Sequence, residues 1–350
     1  MKIEEEGIIL ELPNLLYKKA FYNPQMKVVR SLNIEIYSAI YKNAKFLDLL
    51  ASIGANSLRI KKELNFDVYA NDISKEAIEY LRKNCEINKL EINIFNENAK
   101  FLDCKLKEKF DIIDIDPFGS PSKFLPYILN FLKKRSLLSL TATDVKTLAE
   151  NPLKRYGIFC TETDVPREIA VRNLITFSIL FFSRYNYISF PIFSYSEKHF
   201  VKVYLLLEKT GKKKVENFVK SNIFALSFCK NCLNKKIGIY EKCECNSNFF
   251  HIFPFYIGKL FDENVVRKAY ENSRYSYTKK IFERALKDFV EDYTVPATCY
   301  NTHLLAKKLK KRVLSIEEIC KNIKASKNYL FPTYVRTNEF EKLKNLFINF

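Results

Sequence analysis

The chain contains 350 residues, 47% of them hydrophobic and 15% aromatic, which is enough to form two folded domains with cores of their own. The formal net charge of +18 favours a polyanionic partner such as nucleic acid, although a lysine-rich, solvated surface explains the charge alone equally well. No apolar run approaches the roughly 20 residues of a membrane span and the acidic start is not a signal peptide, so we expect a cytoplasmic protein that does not contact a membrane.

Five predicted strands alternate with helices in the first 144 residues. Each strand is a short apolar run, and the segments between the strands have helical periodicity. This alternation predicts an α/β fold with a doubly wound sheet. A strand or hairpin is expected before the sheet, at residues 3–12. The strands are expected at residues 45–50, 68–72, 92–95, 111–115 and 137–142, and the helices at residues 28–40, 58–64, 74–85 and 125–132.

The turn after the first of these strands lies where a nucleotide-binding βαβ unit has its glycine loop. It spans residues 51–57 and contains one glycine, Gly54, so it is weak evidence by itself. Asp72 ends the second strand, where an acid could bind the ribose hydroxyls of a nucleoside. An N-cap for the following helix is an equally good interpretation of Asp72.

The most informative motif is the loop after the fourth strand, where Asp116, Pro117, Phe118 and Gly119 follow one another. Ligands of α/β sheets bind at the carboxyl ends of the strands. The loop resembles the (D/N/S)-P-P-(Y/F/W) motif of methyltransferases that act on exocyclic amino groups of bases. Such an amine is a poor nucleophile because its lone pair is delocalised into the ring, so the site must accept its hydrogens and bind a flat base. Asp116 could accept these hydrogens, and Phe118 could stack on the base.

The chain is expected to divide into two domains at a charged segment, residues 210–214. An amphipathic helix at residues 166–185 and two further strands precede this segment. The predicted domains are residues 1–210 and 211–350.

Four of the nine cysteines are grouped in the second predicted domain. In a protein expected in a reducing compartment, this grouping indicates a metal and not disulfides. Two close pairs on either side of residues 233–242 have the spacing of the two knuckles of a zinc ribbon, in which four thiolates coordinate Zn2+ tetrahedrally. We expect the zinc to be structural. The predicted ligands are Cys229, Cys232, Cys243 and Cys245.

Residues 263–292 have a helical pattern in which tyrosines are mixed with basic residues. Such a mixture fits stacking on bases and binding of phosphates, and it fits packing of the tyrosines in a core equally well. The tyrosines are Tyr270, Tyr275 and Tyr277.

The last part of the chain is predicted to form two helices and a strand pair, at residues 304–311, 315–324 and 329–337. The second helix begins with a capping box formed by Ser315 and Glu318. This order indicates an α+β domain with a winged-helix-like tail, and the sequence LAKKLKKR gives the first helix a basic face.

Several motifs together resemble those of the tRNA (guanine-26-N2) dimethyltransferase family. They are FYNPQM with Arg30, LDLLASIG, NDIS, DIDPFGSP, TATD and YNTHLLAKKL, and the resemblance extends from Phe21 to Arg336. It implies a class I, Rossmann-like methyltransferase domain, a C-terminal tRNA-binding domain and S-adenosyl-L-methionine as the cofactor. The implied reaction is methylation of the exocyclic N2 of guanine 26 in tRNA, giving N2-methyl- and N2,N2-dimethylguanine. No obligate protein partner is indicated.

The resemblance also implies roles for individual residues. Asp116 matches the family's catalytic acid, and Phe118 and Phe21 match the aromatic pair that sandwiches the guanine. Arg30 matches an arginine at the methionine end of the cofactor, and Asp72 matches the acid that binds the ribose. The other implied cofactor contacts are Asn98 and Ala99 beside the adenine, and Asn56 or Arg59 after the loop.

Some of these positions depart from the family pattern. Val29 and Ser31 flank Arg30, where the family usually has Asn and Asp. Asn56 replaces a common arginine, although Arg59 lies one helical turn along and could substitute. Asn98 replaces an aspartate, so recognition of the adenine amino group would depend on its amide oxygen.

Two other functions fit some of the motifs. The same type of loop serves methylases of adenine and cytosine, so an amino-methyltransferase of DNA or ribosomal RNA is one alternative. A zinc-stabilised RNA-binding protein that has lost catalysis is the other. The intact Asp116 and Phe118 disfavour the RNA-binding protein, and the length of the resemblance disfavours a methylase of DNA or ribosomal RNA.

Overall fold

The structure, a computed structural model, describes residues 1–13, 20–197, 199–288 and 299–349. The chain divides into two compact units. The first unit consists of Met1–Ala142, Tyr204–Lys209 and Asn264–Lys280, and the second of Thr143–Val203, Thr210–Glu263 and Ile281–Phe350. The sequence-based domain boundary at residue 210 stays a prediction.

The first unit begins with an antiparallel hairpin, as predicted for residues 3–12, and continues with alternating strands and helices. Its strands are β1 (Lys2–Glu5), β2 (Ile8–Glu11), β3 (Lys45–Asp48), β4 (Asp67–Asn71), β5 (Asn93–Phe95), β6 (Phe110–Ile115) and β7 (Leu132–Ala142). Its helices are α1 (Lys27–Ile40), α2 (Ala55–Leu64), α3 (Lys75–Asn88) and α4 (Leu102–Lys105), with 3-10 segments at Pro24–Met26 and Ser122–Phe131. The α-helix expected at residues 125–132 is wrong, because residues 125–131 belong to a 3-10 segment and Leu132 begins β7.

The strands β3 to β7 form the parallel part of a seven-stranded sheet, in the order β5-β4-β3-β6-β7. The chain moves outward from β3 to β5 and then returns to β6 on the other side of β3, so the strand order reverses between β3 and β6. Ligands of doubly wound sheets bind at such a reversal, beyond the carboxyl ends of the strands. Asp48 and Asp114 are paired in the register of β3 and β6, which places the following loops side by side. The predicted doubly wound α/β sheet is confirmed.

The rest of the chain mixes helices and strands, and no helix in the described ranges is long and apolar enough to cross a membrane. The helices are α5 (Val145–Glu150), α6 (Leu153–Tyr156), α7 (Pro166–Ser183), α8 (Lys212–Asn222), α9 (Glu263–Glu271), α10 (Ser276–Asp288), α11 (Thr302–Leu309), α12 (Ile316–Asn322) and α13 (Phe340–Asn349). The strands are β8 (Tyr187–Glu197), β9 (Phe200–Lys209), β10 (Ile223–Phe228), β11 (Lys235–Ile237), β12 (Phe250–Tyr256), β13 (Cys299–Asn301), β14 (Ser326–Lys327) and β15 (Tyr334–Arg336). Two three-stranded sheets have the orders β11-β10-β12 and β13-β15-β14.

Two predicted segments in this part differ from the structure. The helix expected at residues 263–292 is two helices, α9 and α10, and residues 289–298 lie outside the described part of the chain. The strand pair expected at residues 329–337 is wrong, because β15 pairs in antiparallel fashion with β14 and with β13. Pairing with β13 joins segments far apart in the sequence, which a local pattern does not reveal.

The helix α7 is buried along most of its length, although its sequence predicts an amphipathic helix. Glu168 forms interior ion pairs with Arg172 at 2.7 Å and with Arg336 at 2.8 Å. Burial alone would raise the pKa of Glu168, but the two guanidinium groups lower it to about 2. From the sequence alone, the charged residues of α7 indicate an exposed face. The partner that neutralises Glu168 in the interior, Arg336, lies 168 residues later and is not evident from the local pattern.

Candidate active site

Asp116 lies at the carboxyl end of β6, in the loop that begins where the strand ends. Its side chain is partly exposed, whereas the adjacent Pro117 is buried. Gly119 has a φ of +81°, a conformation that glycine adopts without strain, and Phe118 in this turn is 75% exposed. The loop therefore presents a carboxylate and an aromatic ring at the ligand-binding edge of the sheet.

The structure brings the two predicted base-binding rings together. The ring centroids of Phe21 and Phe118 are 4.7 Å apart and the ring planes make an angle of 69°, which is an edge-to-face contact. Two rings in direct contact leave no space for a base between them. The two rings must therefore separate before they can sandwich a guanine.

Asp72 connects the end of β4 to the loop after β3. Its carboxylate accepts hydrogen bonds from the Ser52 N–H at 2.9 Å and the Ser74 N–H at 2.8 Å. The N-cap of α3 is Ser74, so the interpretation of Asp72 as the N-cap is wrong. Burial raises the pKa of Asp72. In the same loop, Gly54 has a φ of +85° and an added Cβ would lie 2.9 Å from Leu81 Cγ, so the close approach of loop and α3 requires glycine.

Asn98 and Ala99 follow β5, and they continue the row of predicted cofactor residues along the ends of β3, β4 and β5. The Asn98 amide oxygen accepts a hydrogen bond from the Lys100 N–H at 3.0 Å. A carbonyl oxygen has a second lone pair, so this contact leaves it able to accept from an adenine amino group. Ala99 is buried.

Arg30 is buried in α1 and forms a two-point ion pair with Glu5 of β1. Sequence reasoning predicted Arg30 and missed Glu5. The distances are 2.7 Å from Nε to Oε1 and 2.5 Å from Nη2 to Oε2. The hydroxyl of Tyr22 also donates to Glu5, at 2.6 Å. Burial opposes ionisation of Glu5, but Arg30 and Tyr22 outweigh it and lower the pKa of the carboxyl group. Nothing local in the sequence identifies Glu5, because the hairpin brings it to α1.

Asn56 joins two buried carboxylates beneath the loop, and sequence reasoning missed both of them. Its Nδ2 donates to Asp48 at 3.3 Å and to Asp114 at 3.0 Å. Asn33 donates to Asp114 at 3.2 Å. Burial and the adjacent carboxylate of Asp114 raise the pKa of Asp48 to about 7. The signal that could have found this pair is the presence of an acid near the end of two strands that are adjacent in a doubly wound sheet.

Arg59 is fully buried, and groups of the first unit surround its guanidinium. It donates to Ser31 Oγ at 2.9 Å and to the Tyr275 hydroxyl at 2.9 Å, and it pairs with Glu63 at 2.8 Å. The Tyr277 hydroxyl lies 2.6 Å from Ser31 Oγ. These contacts favour packing within the first unit for Tyr275 and Tyr277 over stacking on bases, and a supporting role for Arg59.

One family of enzymes matches nearly the whole chain. Residues 2–345 match the model of the family described as N2,N2-dimethylguanosine tRNA methyltransferase. The chain belongs to this family. A tRNA (guanine(26)-N(2))-dimethyltransferase from Methanocaldococcus jannaschii is 30% identical, with 93% of this chain and 90% of that protein covered. A tRNA (guanine(26)-N(2)/guanine(27)-N(2))-dimethyltransferase from Aquifex aeolicus is 30% identical, with 78% of this chain and 76% of that protein covered.

The fold of this methyltransferase is similar to that of Trm1 from Pyrococcus horikoshii, which was solved with S-adenosyl-L-methionine. The TM-score is 0.87 at 22% identity, with 100% of this chain and 99% of that one covered. The predicted family, the predicted activity as a tRNA guanine-N2 methyltransferase and the Rossmann-like methyltransferase fold are confirmed. Family membership disfavours both alternatives, an amino-methyltransferase of DNA or ribosomal RNA and a non-catalytic RNA-binding protein.

The second unit of the methyltransferase holds the four predicted metal ligands close together. Their sulfur atoms all lie within 4.8 Å of one another. The sulfur distances across the two pairs are 3.5 Å for Cys229–Cys245 and 3.4 Å for Cys232–Cys243. Tetrahedral zinc with Zn–S bonds of about 2.3 Å separates its ligands by about 3.8 Å. This value lies between the shortest sulfur distance of 3.4 Å and the limit of 4.8 Å, so the arrangement fits a Zn2+ ion after a small adjustment.

Proposed function

We propose that this chain transfers methyl groups from S-adenosyl-L-methionine to the exocyclic N2 of guanine 26 in tRNA, giving N2-methyl- and N2,N2-dimethylguanine. Relatives about 30% identical over most of the chain and named for guanine 26 support the position. The observation that carries the proposal is the arrangement at the sheet edge, where Asp116 follows β6 and the exposed rings of Phe21 and Phe118 lie 4.7 Å apart.

Phe21 and Phe118 bind the guanine in this proposal. The base must leave the tRNA stack to reach a site at the edge of a sheet. Separation of the two rings lets each of them stack on one face of the base, and such stacking contributes about 1–3 kcal/mol per base. Stacking does not distinguish one base from another, so the rings supply affinity and Asp116 supplies the preference for a base with an amino group.

Asp116 acts on the amine. Its carboxylate accepts hydrogen bonds from the N2 hydrogens, which orients the nitrogen, and it accepts the proton that the nitrogen releases. S-adenosyl-L-methionine supplies an electrophilic methyl group when it is bound. Much of the rate enhancement then comes from alignment of the nitrogen by Asp116 and the two rings and from exclusion of water.

The residues at the ends of β4 and β5 fit a nucleoside. Asp72 uses one lone pair of each oxygen for a backbone N–H, and the remaining lone pairs suit ribose hydroxyls. Asn98 and Ala99 would bind the adenine. Arg30 would bind the methionine carboxylate at Nη1, because Glu5 takes Nε and Nη2. For Asn56 and Arg59 a direct cofactor contact stays a prediction.

We also propose that Cys229, Cys232, Cys243 and Cys245 bind a structural Zn2+ ion in a zinc ribbon with β10, β11 and β12. Leu233 and Asn246, the residues that follow the two cysteine pairs, have φ values of +71° and +62°, so the chain turns in the same way after both pairs. The ion would supply four coordinate bonds that crosslink these turns. Four thiolates complete a tetrahedral shell and leave no position for a reacting group.

For tRNA binding we propose the tail formed by α11, α12 and the β14–β15 pair, as a winged-helix-like module within residues 211–350. The predicted capping box of Ser315 and Glu318 is present at the start of α12, with distances of 3.1 and 2.8 Å. Exposed lysines of α11 and the turn after it would contact phosphates.

Nucleoside mass spectrometry of an unmodified tRNA transcript incubated with enzyme and cofactor tests the function. We expect N2-methyl- and N2,N2-dimethylguanine, and neither product from a transcript with adenine at position 26. Products at another base would overturn the proposal.

The matched variant Asp116→Asn keeps the size of the side chain but cannot take a proton. We expect its single-turnover rate to fall by at least about a hundredfold, while cofactor affinity by calorimetry stays within about twofold. A rate within about tenfold of wild type would remove Asp116 from its role.

A further inference from the structure

Ser52 contacts two parts of the site at once. Its hydroxyl accepts a hydrogen bond from the Phe21 N–H at 3.0 Å and donates one to the Phe21 carbonyl oxygen at 2.8 Å. Its own N–H donates to the Asp72 carboxylate at 2.9 Å. One loop residue therefore links the proposed ribose acid to the backbone of a proposed guanine-binding residue.

The backbone of Ser52 is in the left-handed region, with a φ of +48°. Residues other than glycine are uncommon there, and they persist where the surrounding contacts fix them. At Ser52 the fixing contacts are those to Asp72 and Phe21. The conformation of the loop thus depends both on the proposed ribose acid, Asp72, and on the proposed guanine-binding residue, Phe21.

The contact between the Phe21 and Phe118 rings indicates what the hydrogen bonds from Ser52 to the Phe21 backbone do. The Phe21 ring is 46% exposed and must move away from Phe118 before a base can enter. Ser52 binds both polar backbone groups of Phe21, so the ring can rotate about its side-chain torsions while the backbone stays in place. An error of about 1 Å in the placement of a reacting group can lower a rate up to about a hundredfold.

We propose that Ser52 is a positioning residue that holds Phe21 for guanine binding and couples it to the cofactor-binding end of β4. The inference rests on the proposed function. It predicts that the Ser52 hydroxyl acts through the Phe21 ring, and that it matters for methyl transfer more than for cofactor affinity.

Ser52→Ala tests the inference, because it removes both hydroxyl contacts and retains the N–H that Asp72 accepts. We expect the single-turnover rate on tRNA to fall about tenfold, with cofactor affinity by calorimetry within about twofold of wild type. Ser52→Gly also lacks the hydroxyl and relieves the positive φ, so it should fold if the alanine variant does not, and it should show the same loss of rate.

A double-mutant cycle with Phe21→Ala separates positioning from a general structural effect. If the hydroxyl acts through the ring, Ser52→Ala should cost less than about twofold in rate once the ring is absent. Ser74→Ala is the matched control, because Ser74 also donates its N–H to Asp72 while its hydroxyl caps α3. The effects of Ser74→Ala and Phe21→Ala should add.

Additive effects of Ser52→Ala and Phe21→Ala would overturn the inference. So would a tenfold or greater loss of cofactor affinity with an unchanged rate at saturation, which would make Ser52 a cofactor-binding residue. Failure of the wild-type enzyme to methylate any guanine would overturn the proposed function itself, and that result is obtained before any variant is compared.

Discussion

At the scale of single residues, the site combines groups that a local motif reveals with groups that only the fold brings together. Asp116 and Phe118 occur in one loop, and their chemistry can be inferred from the residue types alone. Asp48 and Asp114 lie on different strands and become a pair through the parallel register of β3 and β6. Both are buried, and the carboxylate of Asp114 beside Asp48 helps to raise the pKa of Asp48, so the protonation of Asp48 bears directly on stability.

Asp48→Asn tests the effect of this buried pair on stability. An aspartate in an unfolded chain has a pKa of about 3.9, whereas the pKa of Asp48 in the folded protein is raised to about 7 by burial and by Asp114. Between these values the folded protein holds a proton that the unfolded chain has lost, so the stability of the wild type falls as the pH rises through this range. The variant has no such proton, and relative to wild type it should gain roughly 2.5 kcal/mol between pH 5 and pH 8.

Thermal unfolding of both proteins at pH 5, 6, 7 and 8 measures this gain as a change in the difference of their Tm values. The control is Asp67→Asn, at an aspartate of β4 whose side chain is 52% exposed and whose charge stays in contact with water. The control removes one carboxylate outside the buried pair, so it should not reproduce the gain expected for Asp48→Asn. A constant difference for Asp48→Asn would show that Asp48 does not retain its proton on folding.

At the scale of secondary structure, apolar runs and turn residues predicted the five parallel strands and the helices α1, α2 and α3, because each pattern is local. The helix predicted between β6 and β7 is the exception, since that segment is a 3-10 helix. The other failures involve contacts between distant segments. The sequence of the buried helix α7 has the pattern of an exposed helix, because the residue that neutralises Glu168, Arg336, is far away in the sequence. The pairing of β15 with β13 joins two segments that are separated in the sequence by the helices α11 and α12. For the same reason the position of Asp116 directly after a strand could be predicted. The ion pair of Glu5 with Arg30 could not, since it exists only after the hairpin packs on α1.

The two cysteine turns are an element that the sequence does predict, since the spacing and the chemistry are both local. Replacement of Cys229 and Cys232 together by serine should release zinc and lower the Tm by at least about 5 °C, because two of the four crosslinking bonds are lost. Cofactor affinity should stay within about twofold, because the proposed cofactor residues belong to the first unit. Metal analysis, thermal unfolding and calorimetry measure the three quantities.

The control for this variant is Cys104→Ser, at an exposed cysteine outside the cluster. Its zinc content and Tm should match those of wild type. Absence of stoichiometric zinc in the wild-type protein, purified without chelators, would contradict the zinc ribbon.

At the scale of the whole molecule, the net charge of +18 and a polyanionic substrate imply that electrostatics contributes much of the affinity. Charge alone does not say where the tRNA binds, and a lysine-rich surface would have the same total. The lysines of α11 and its C-terminal turn are exposed and closely spaced, which suits contact with successive phosphates. Lys311 differs from the others because its Nζ donates to the Ile348 carbonyl oxygen at 2.7 Å, so it also stabilises the tail.

Replacement of Lys307, Lys308 and Lys310 by glutamine tests the location of the tRNA contact and leaves Lys311 in place. Each phosphate contact releases counterions, so the slope of log affinity against log salt should become shallower by roughly one unit per lost contact. Methyl transfer at saturating tRNA should survive, because Asp116, Phe21 and Phe118 are unchanged.

The matched control replaces the exposed Lys212, Lys213 and Lys214 at the start of α8, which removes the same charge elsewhere and should change the slope by less than about one unit. Equal changes in the two variants would show that the salt dependence reflects total charge, and an unchanged slope with lost turnover would show that the α11 lysines support the fold and do not bind tRNA.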